Sequence, residues 1–410
     1  MKKTLAAVAV LGAFAGSALA ADVQLYGIVD TGVGYNHVDM DSLDGGTLYN
    51  NDNGKAAYSF ADSDSFSMMS GQASGSRWGL KGTEDLGNGL TVGFILEDGF
   101  TSDNGADSAP MFNRESSLFV QGGFGKFAMG RMGSLNNGQS SWAKVGMVSA
   151  FGTSDWGGYS AQLGNIFSLA GQWDNMVAYE TPSFAGFKVY AQYAMGSNDN
   201  ENESSSDRYY AIGATYNNGP FAGYFAVDSI NYQTSGAKID DKYIDDSLTV
   251  TLGGSWNFEV AKVYFGAQYF DEVKLSSIGG ITKTTVSDVN LSKLDKLLPD
   301  ITVGALVKVK GYGISLTADA PVAGGKAMFG VGYVDAEAAD SIQDALKDAN
   351  TDVDLDLKRY VVSVGYDYPF SKRTDVYAIA SYMQDQVDAG TSEDWDPSAY
   401  TLYVGLRHRF

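Results

Sequence analysis

Apolar and polar residues alternate along most of the chain, the period-two pattern of strands with two unlike faces. Val23, Leu25, Val29, Val33 and Tyr35 share one parity, with Gln24, Asp30 and small glycines on the other. Leu90, Val92, Phe94 and Leu96 alternate with Thr91, Gly93 and Glu97. The pattern returns in Phe187–Met195, Leu248–Trp256, Val263–Tyr269, Tyr360–Tyr368 and, last, Tyr400–Phe410. Soluble sandwiches alternate as well, so periodicity alone leaves sandwich and membrane barrel open.

Connection lengths separate the two. Short links at Glu84–Gly89, Gly122–Gly125, Thr181–Gly186, Asn217–Pro220, Asn257–Val260, Pro321–Lys326 and Pro369–Thr374 take turns with long polar ones. The long links span Asn36–Gly75, Gly99–Met111, Met132–Asp174, Ser197–Asp207, Gln233–Asp246, Asp271–Lys308, Asp335–Asp356 and Gln384–Pro397. Seven short turns alternating with eight long loops predict sixteen antiparallel strands in up-and-down order. Short turns at one end and long loops at the other, with an even strand count, is the outer-membrane pattern. The predicted fold is all-β, a sixteen-stranded antiparallel transmembrane β-barrel. Two loop stretches, Val289–Leu298 and Ile342–Leu346, carry a brief helical spacing.

The first residues stand apart. Lys2 and Lys3 precede an apolar run, Leu5–Ala15, and small residues ending at Ala20. That is a secretory signal, with cleavage expected after Ala20 and a single barrel domain over 21–410. The run is short for a spanning helix.

Composition narrows the function. The 410 residues carry a formal net charge of -21, no cysteine and 2 His, with 25 Tyr and 21 Phe. Thiol chemistry and thiolate metal sites are removed, and the acidic field argues against nucleic acid as a partner. Acids concentrate in long loops, where Asp335–Asp356 has eight against Lys347. Asp240, Asp241, Asp245 and Asp246 lack a regular Ca²⁺-ligand spacing, so bridging of divalent ions to lipopolysaccharide is the most they suggest. A barrel hydrolase needs a base beside a nucleophile or a water. Neither His37 nor His408 has such a partner in sequence, so neither catalysis nor a cofactor is expected.

Several segments are similar to the trimeric general porins of Gram-negative bacteria. Ser76–Leu90 (SRWGLKGTEDLGNGL) resembles their strand-turn-strand signature, joined by Val23–Val33, Phe112–Arg131, Tyr179–Phe187 and Ser371–Ala378. Gly405–Phe410 (GLRHRF) resembles the closing strand with its terminal aromatic. The resemblance implies a homotrimer whose third long loop folds into the lumen, passing ions and small hydrophilic solutes by diffusion. It also implies contact with outer-membrane lipid and lipopolysaccharide, and Phe410 as an assembly signal for the barrel insertion machinery. A solute-specific channel or a loop-based adhesin on the same barrel is the alternative. Lumen-parity Tyr26, Tyr190, Tyr264 and Tyr377 are too scattered for a sugar slide.

A sixteen-strand barrel is wide enough for water, so function depends on what narrows and charges the lumen. With Trp78, Leu80 and Gly82 toward lipid, Arg77, Gly79 and Lys81 face inward. The resemblance carries a constriction role to Arg77 and Arg114, against the alternative of rim or interstrand ion pairs. Arg131 shares parity with Phe127 and Met129, so an inward place requires a bulge, a strand end or cover by the folded loop. The third loop offers Asp155 and Asp174 as facing carboxylates, and Glu97 falls on lumen parity near the loop end of its strand. Acidic loops against a close arginine group predict a weak cation preference at low salt that fades as salt rises.

Overall fold

One strand closes the sheet. β1 (Gln24–Asp39) pairs antiparallel with the last strand, β17 (Ser398–Arg409), from Ile28 opposite Arg409 to Asp39 opposite Ser398. Its other edge pairs with β3 (Arg77–Gly87) over Gln24–Ile28 and with β2 (Ser63–Ser70) over Thr31–Val38. β2 and β3 are therefore two pieces of one stave.

From β3 onward each strand pairs with the next. The series runs β4 (Leu90–Gly99), β5 (Glu115–Gly122), β6 (Gly125–Gly133), β7 (Gln172–Glu180), β8 (Phe187–Ala194), β9 (Arg208–Asn218) and β10 (Phe221–Asn231). It continues with β11 (Leu248–Asn257), β12 (Lys262–Lys274), β13 (Lys308–Val322), β14 (Gly325–Ala338), β15 (Asp356–Pro369) and β16 (Thr374–Asp388), which meets β17. Among the described residues, seventeen strands thus make a closed barrel of sixteen staves. This computed structural model describes residues 22–40, 62–107, 110–196, 206–232, 245–281, 308–348, 356–388 and 396–410. The signal segment 1–20 and the helical spacing at 289–298 lie outside them. A short helix, α1 (Asp340–Asp348), stands where Ile342, Ala345 and Leu346 predicted one.

The first long loop is a correction. It was expected over Asn36–Gly75, but β1 runs on to Asp39 and Ser63–Ser70 is strand. The segment SDSFSMMS has only Phe66, Met68 and Met69 to signal a strand, and β1 supplies the ladder that its composition conceals.

Exposure identifies the faces. In β17, Leu402 is 53 % exposed and its neighbour Tyr403 is 1 %. Tyr400, Val404 and Leu406 continue the exposed series, while Ala399 and Thr401 are buried. Apolar outside and polar or small inside inverts the soluble arrangement and fits a wall standing in lipid.

The lumen holds the third loop, residues 134–171. Its Trp142, Val145, Val148, Phe151, Leu163, Ile166 and Phe167 are buried within the barrel. Glycines on the inner wall make the seat. A Cβ at Gly266 would lie 3.0 Å from both Phe167 and Val148, one at Gly330 2.8 Å from Phe151, and one at Gly332 2.3 Å from Ile166. Polar wall groups satisfy the loop backbone: Leu135 N–H donates to Gln192 (2.9 Å), Ala150 N–H to Thr317 (2.8 Å), Ala161 N–H to Ser363 (2.8 Å) and Ser168 N–H to Gln268 (2.6 Å). Arg359 and Asp385, both fully buried, pair through Nε–Oδ1 (2.6 Å) and Nη2–Oδ2 (2.8 Å). Arg359 also donates to the Asn165 carbonyl of the loop at 3.0 Å.

Gly313 tests the seat, because its Cβ would lie 2.0 Å from the Ile166 carbonyl oxygen, a backbone atom that moves only with the loop. Gly313→Ala is expected to cost about 1–3 kcal/mol of overpacking. It should lower the thermal midpoint and speed proteolysis within residues 134–171, and wild-type cleavage would reject the seat.

Candidate functional site

Three adjacent strands bring the candidate charges together. Arg77 opens β3, Glu97 lies near the top of β4, and Arg114 immediately precedes β5. The β3–β4 register sets Gly79 opposite Glu97, and the β4–β5 register sets Glu97 opposite Glu115. Arg114 Nε donates to Glu97 Oε1 at 2.6 Å, while Arg77 Nε lies 3.5 Å from Oε2. Tyr26, one stave away on β1, donates its hydroxyl to the same Oε2 at 3.0 Å. One carboxylate therefore holds two guanidinium groups. Lys81, two positions along from Gly79, also faces inward and places its ammonium 5.0 Å from the Tyr26 ring centroid.

The third loop faces this wall. Arg114 Nη1 donates to Gln139 Oε1 at 2.8 Å. Glu115, 1 % exposed, accepts from Ser140 Oγ (3.0 Å), Ser141 N–H (2.8 Å) and Ser141 Oγ (3.0 Å), and from Ser117 Oγ on its own strand (2.8 Å). Its charge is spent in hydrogen bonds that hold the loop rather than in an ion pair. Between wall and loop lies a space of about 430 Å³ lined by Arg77, Lys81, Glu97 and Arg114 on one side and by Gln139, Thr153 and Asp155 on the other. Thr153 and Asp155 also line a second space, of about 500 Å³, together with Asn36 of β1 and Met69 of β2. Asp155 thus stands where the two spaces meet.

Arg131 departs from the expected group. A register shift between Gly130 and Met132 supplies the irregularity that its parity required. Yet Arg131 lies opposite Ser116, on the parity of the exposed Leu118 and Met129. It donates to the Asn113 carbonyl (2.8 Å) and to Asp174 (2.5 Å), and neither Arg131 nor Asp174 lines the space. The two form a wall ion pair, because the bulge turns the strand without carrying this side chain across it.

Glu115 escaped the sequence reading, as did a second set of cations. Lys144 on the loop donates to the Ser141 carbonyl at 2.8 Å and lies 5.4 Å from the Tyr190 ring centroid. Burial pushes its pKa down to about 8, which leaves most of the charge in place at neutral pH. Lys126, inward on β6, sits 4.4 Å from the Phe119 ring centroid and 5.0 Å from that of Trp142. Lys188 pairs with Glu180. Lumen parity alone signalled Lys126 and Lys188 in the sequence, and Lys144 stood out there only as the basic residue of the third loop.

Both histidines lie on the outer face. His37 Nδ1 is 2.9 Å from Asp64 Oδ1, with the Tyr35 hydroxyl also on Asp64 and the Tyr400 ring stacked at 4.8 Å. That partner comes from β2, the strand the sequence concealed. His408 Nδ1 is 2.8 Å from Thr374 Oγ1. Phe410 is 46 % exposed and exchanges two backbone hydrogen bonds with Gly27, each 3.1 Å.

The chain matches known proteins over nearly its whole length. The Gram-negative porin family matches residues 6–388. An outer membrane porin protein of Bordetella pertussis is 33% identical over 437 aligned residues covering 100% of both chains. Outer membrane porin protein 32 of Delftia acidovorans is 29% identical over 427, again covering both completely. Among solved structures, an anion-selective porin from Comamonas acidovorans superposes with a TM-score of 0.63 at 25% identity, over 95% of this chain and 100% of its own. The chain belongs to the Gram-negative porin family, as an outer-membrane β-barrel channel for passive diffusion of ions and small hydrophilic solutes.

Proposed function

We propose that Arg77, Arg114, Glu97 and Asp155 form the charged constriction of this channel, and that the protein acts by selective diffusion without catalysis. The observation that carries the assignment is their convergence on one space of about 430 Å³ between wall and loop. Arg131 stays outside this proposal, because it is tied to Asp174 in the wall. Net preference follows from which charges remain uncommitted. Glu115 is used up by the loop and Glu97 is shared between two arginines, whereas Lys81, Lys126 and Lys144 add cations to the lumen. We assign an anion preference to the constriction itself, in line with the anion-selective relative. The acidic loops oppose it at low salt, where their field reaches roughly 30 Å at about 0.01 M but only roughly 3 Å at about 1 M.

The working unit is proposed to be a homotrimer. Among the described residues β2 pairs with β1, and its Phe66 is 75 % exposed beside Met68 at 58 %. Two large apolar side chains exposed on one short strand call for another surface against them. The mature chain is proposed to begin after Ala20, with Phe410 as the residue read by the insertion machinery and lipid and lipopolysaccharide around the wall.

Planar-bilayer recording in a KCl gradient tests the constriction. Arg77→Ala should move the reversal potential toward potassium and Asp155→Ala toward chloride, and the wild-type potential should drift toward chloride as salt rises. Two variants indistinguishable from wild type would remove the assignment. Deleting Phe410 should lower the amount of inserted trimer more than it alters unit conductance, and normal insertion would refute the signal role.

A further inference from the structure

The broken stave has a use of its own. Ile28 pairs with Arg77 and Thr31 with Ser70, so only Val29 and Asp30 of β1 stand against the six residues 71–76. The surplus projects into the lumen as a lip built on Asp30, which is fully buried. Asp30 Oδ2 accepts from the backbone N–H of Ala73 (3.0 Å) and Ser74 (2.7 Å), and Oδ1 accepts from the Tyr377 hydroxyl (2.5 Å). That hydroxyl also accepts from Ala73 N–H at 3.2 Å. The Asp30 carbonyl takes Gly71 N–H at 2.8 Å and Ser76 Oγ at 2.9 Å.

The lip touches both arginines of the constriction and the two loop residues that follow Asp155. Ser74 Oγ (3.2 Å) and the Gly75 carbonyl (3.0 Å) accept from Arg77 Nη1. A Cβ on Gly75 would lie 3.0 Å from Arg114 Nη1. At the crown, Gln72 is 7 % exposed and its amide is oriented by donation to the Ser70 carbonyl at 3.0 Å. Its carbonyl accepts Trp156 N–H and its Oε1 accepts Gly157 N–H, both at 2.8 Å. Those two donors follow Asp155 directly. Trp156 holds a left-handed φ of 49°, a conformation that persists in a non-glycine residue only when its surroundings fix it.

We infer that the lip, through Gln72, is a positioning element that sets how closely Asp155 faces Arg77 and Arg114, and so tunes conductance and selectivity. The inference rests on the constriction proposed above. It assigns Gln72 a positioning role, with Asp30 and Tyr377 as its footing.

Bilayer recording of the whole barrel tests it. Gln72→Met keeps the length and the backbone bond but removes the Oε1 acceptor. Unit conductance should rise, and the reversal potential should move toward chloride as Asp155 draws back. Gln72→Glu restores the acceptor and should return unit conductance to the wild-type value, which a variant that merely loosened the fold would not do. If Gln72→Met does not insert, Tyr377→Phe removes the second tie to the lip and should shift both readings in the same direction. Wild-type conductance and potential in the acceptor-free variant, with Arg77→Ala still moving the potential, overturn the lip alone. A silent Arg77→Ala overturns the constriction together with it.

Discussion

The backbone hydrogen-bond ladder is the constraint on which the rest depends. In hydrocarbon an unpaired N–H or C=O costs several kcal/mol, so a sheet that spans a bilayer has to close on itself. β1 performs that closure, taking β17 on one edge and the two pieces of the second stave on the other. The final residue completes the seam, because Phe410 adds a backbone pair with Gly27 beyond the last strand residue. Gly27 admits the terminal ring, since a Cβ there would lie 2.3 Å from Phe410 Cζ.

Closure creates a second demand, namely filling and shaping the lumen. A barrel of this width is not filled by its own side chains. The third loop supplies the missing core, placing aromatic and branched residues against wall positions emptied to glycine. Where the wall is polar it offers hydroxyls and amides to the loop backbone. The buried Arg359–Asp385 pair belongs to this set of contacts. Its charges are desolvated, and their value lies in fixing the loop, given how costly one partner would be without the other. The β3–β5 side carries arginines and a lysine where β12–β14 carry glycines, and there a space of about 430 Å³ lies between wall and loop, bounded by the bonds that Arg114 and Glu115 make to the loop.

Much of this was legible in residue order. Alternation located the strands, and the alternation of short and long links gave the number of staves. Parity correctly turned Arg77 and Lys81 inward, and Glu97 met both arginines as lumen parity suggested. What stayed hidden has a common cause, which is contact between segments far apart in sequence. Ser63–Ser70 reads as loop because serines mask its alternation, and only β1 makes it a strand. Whether the bulge toward β7 would carry Arg131 across the wall was not readable from its strand, and it leaves Arg131 on its original parity. Glu115 reads as an ordinary strand acid until Ser140 and Ser141 arrive from the loop. The glycines on strands β12–β14 look like weak strand residues, and their purpose appears only with Phe167, Phe151 and Ile166 against them.

The loop's bonds reach both sides of the seam. Gly157 donates its N–H to Gln72 of the second stave, and its carbonyl accepts from Thr401 Oγ1 of β17 at 3.3 Å. Between those two staves runs β1, the strand that closes the barrel. A chain still open at this seam holds only part of the loop's seat. The loop's seat and the barrel's closure therefore share contacts, and the shape of the aperture depends on the seam as well as on the wall.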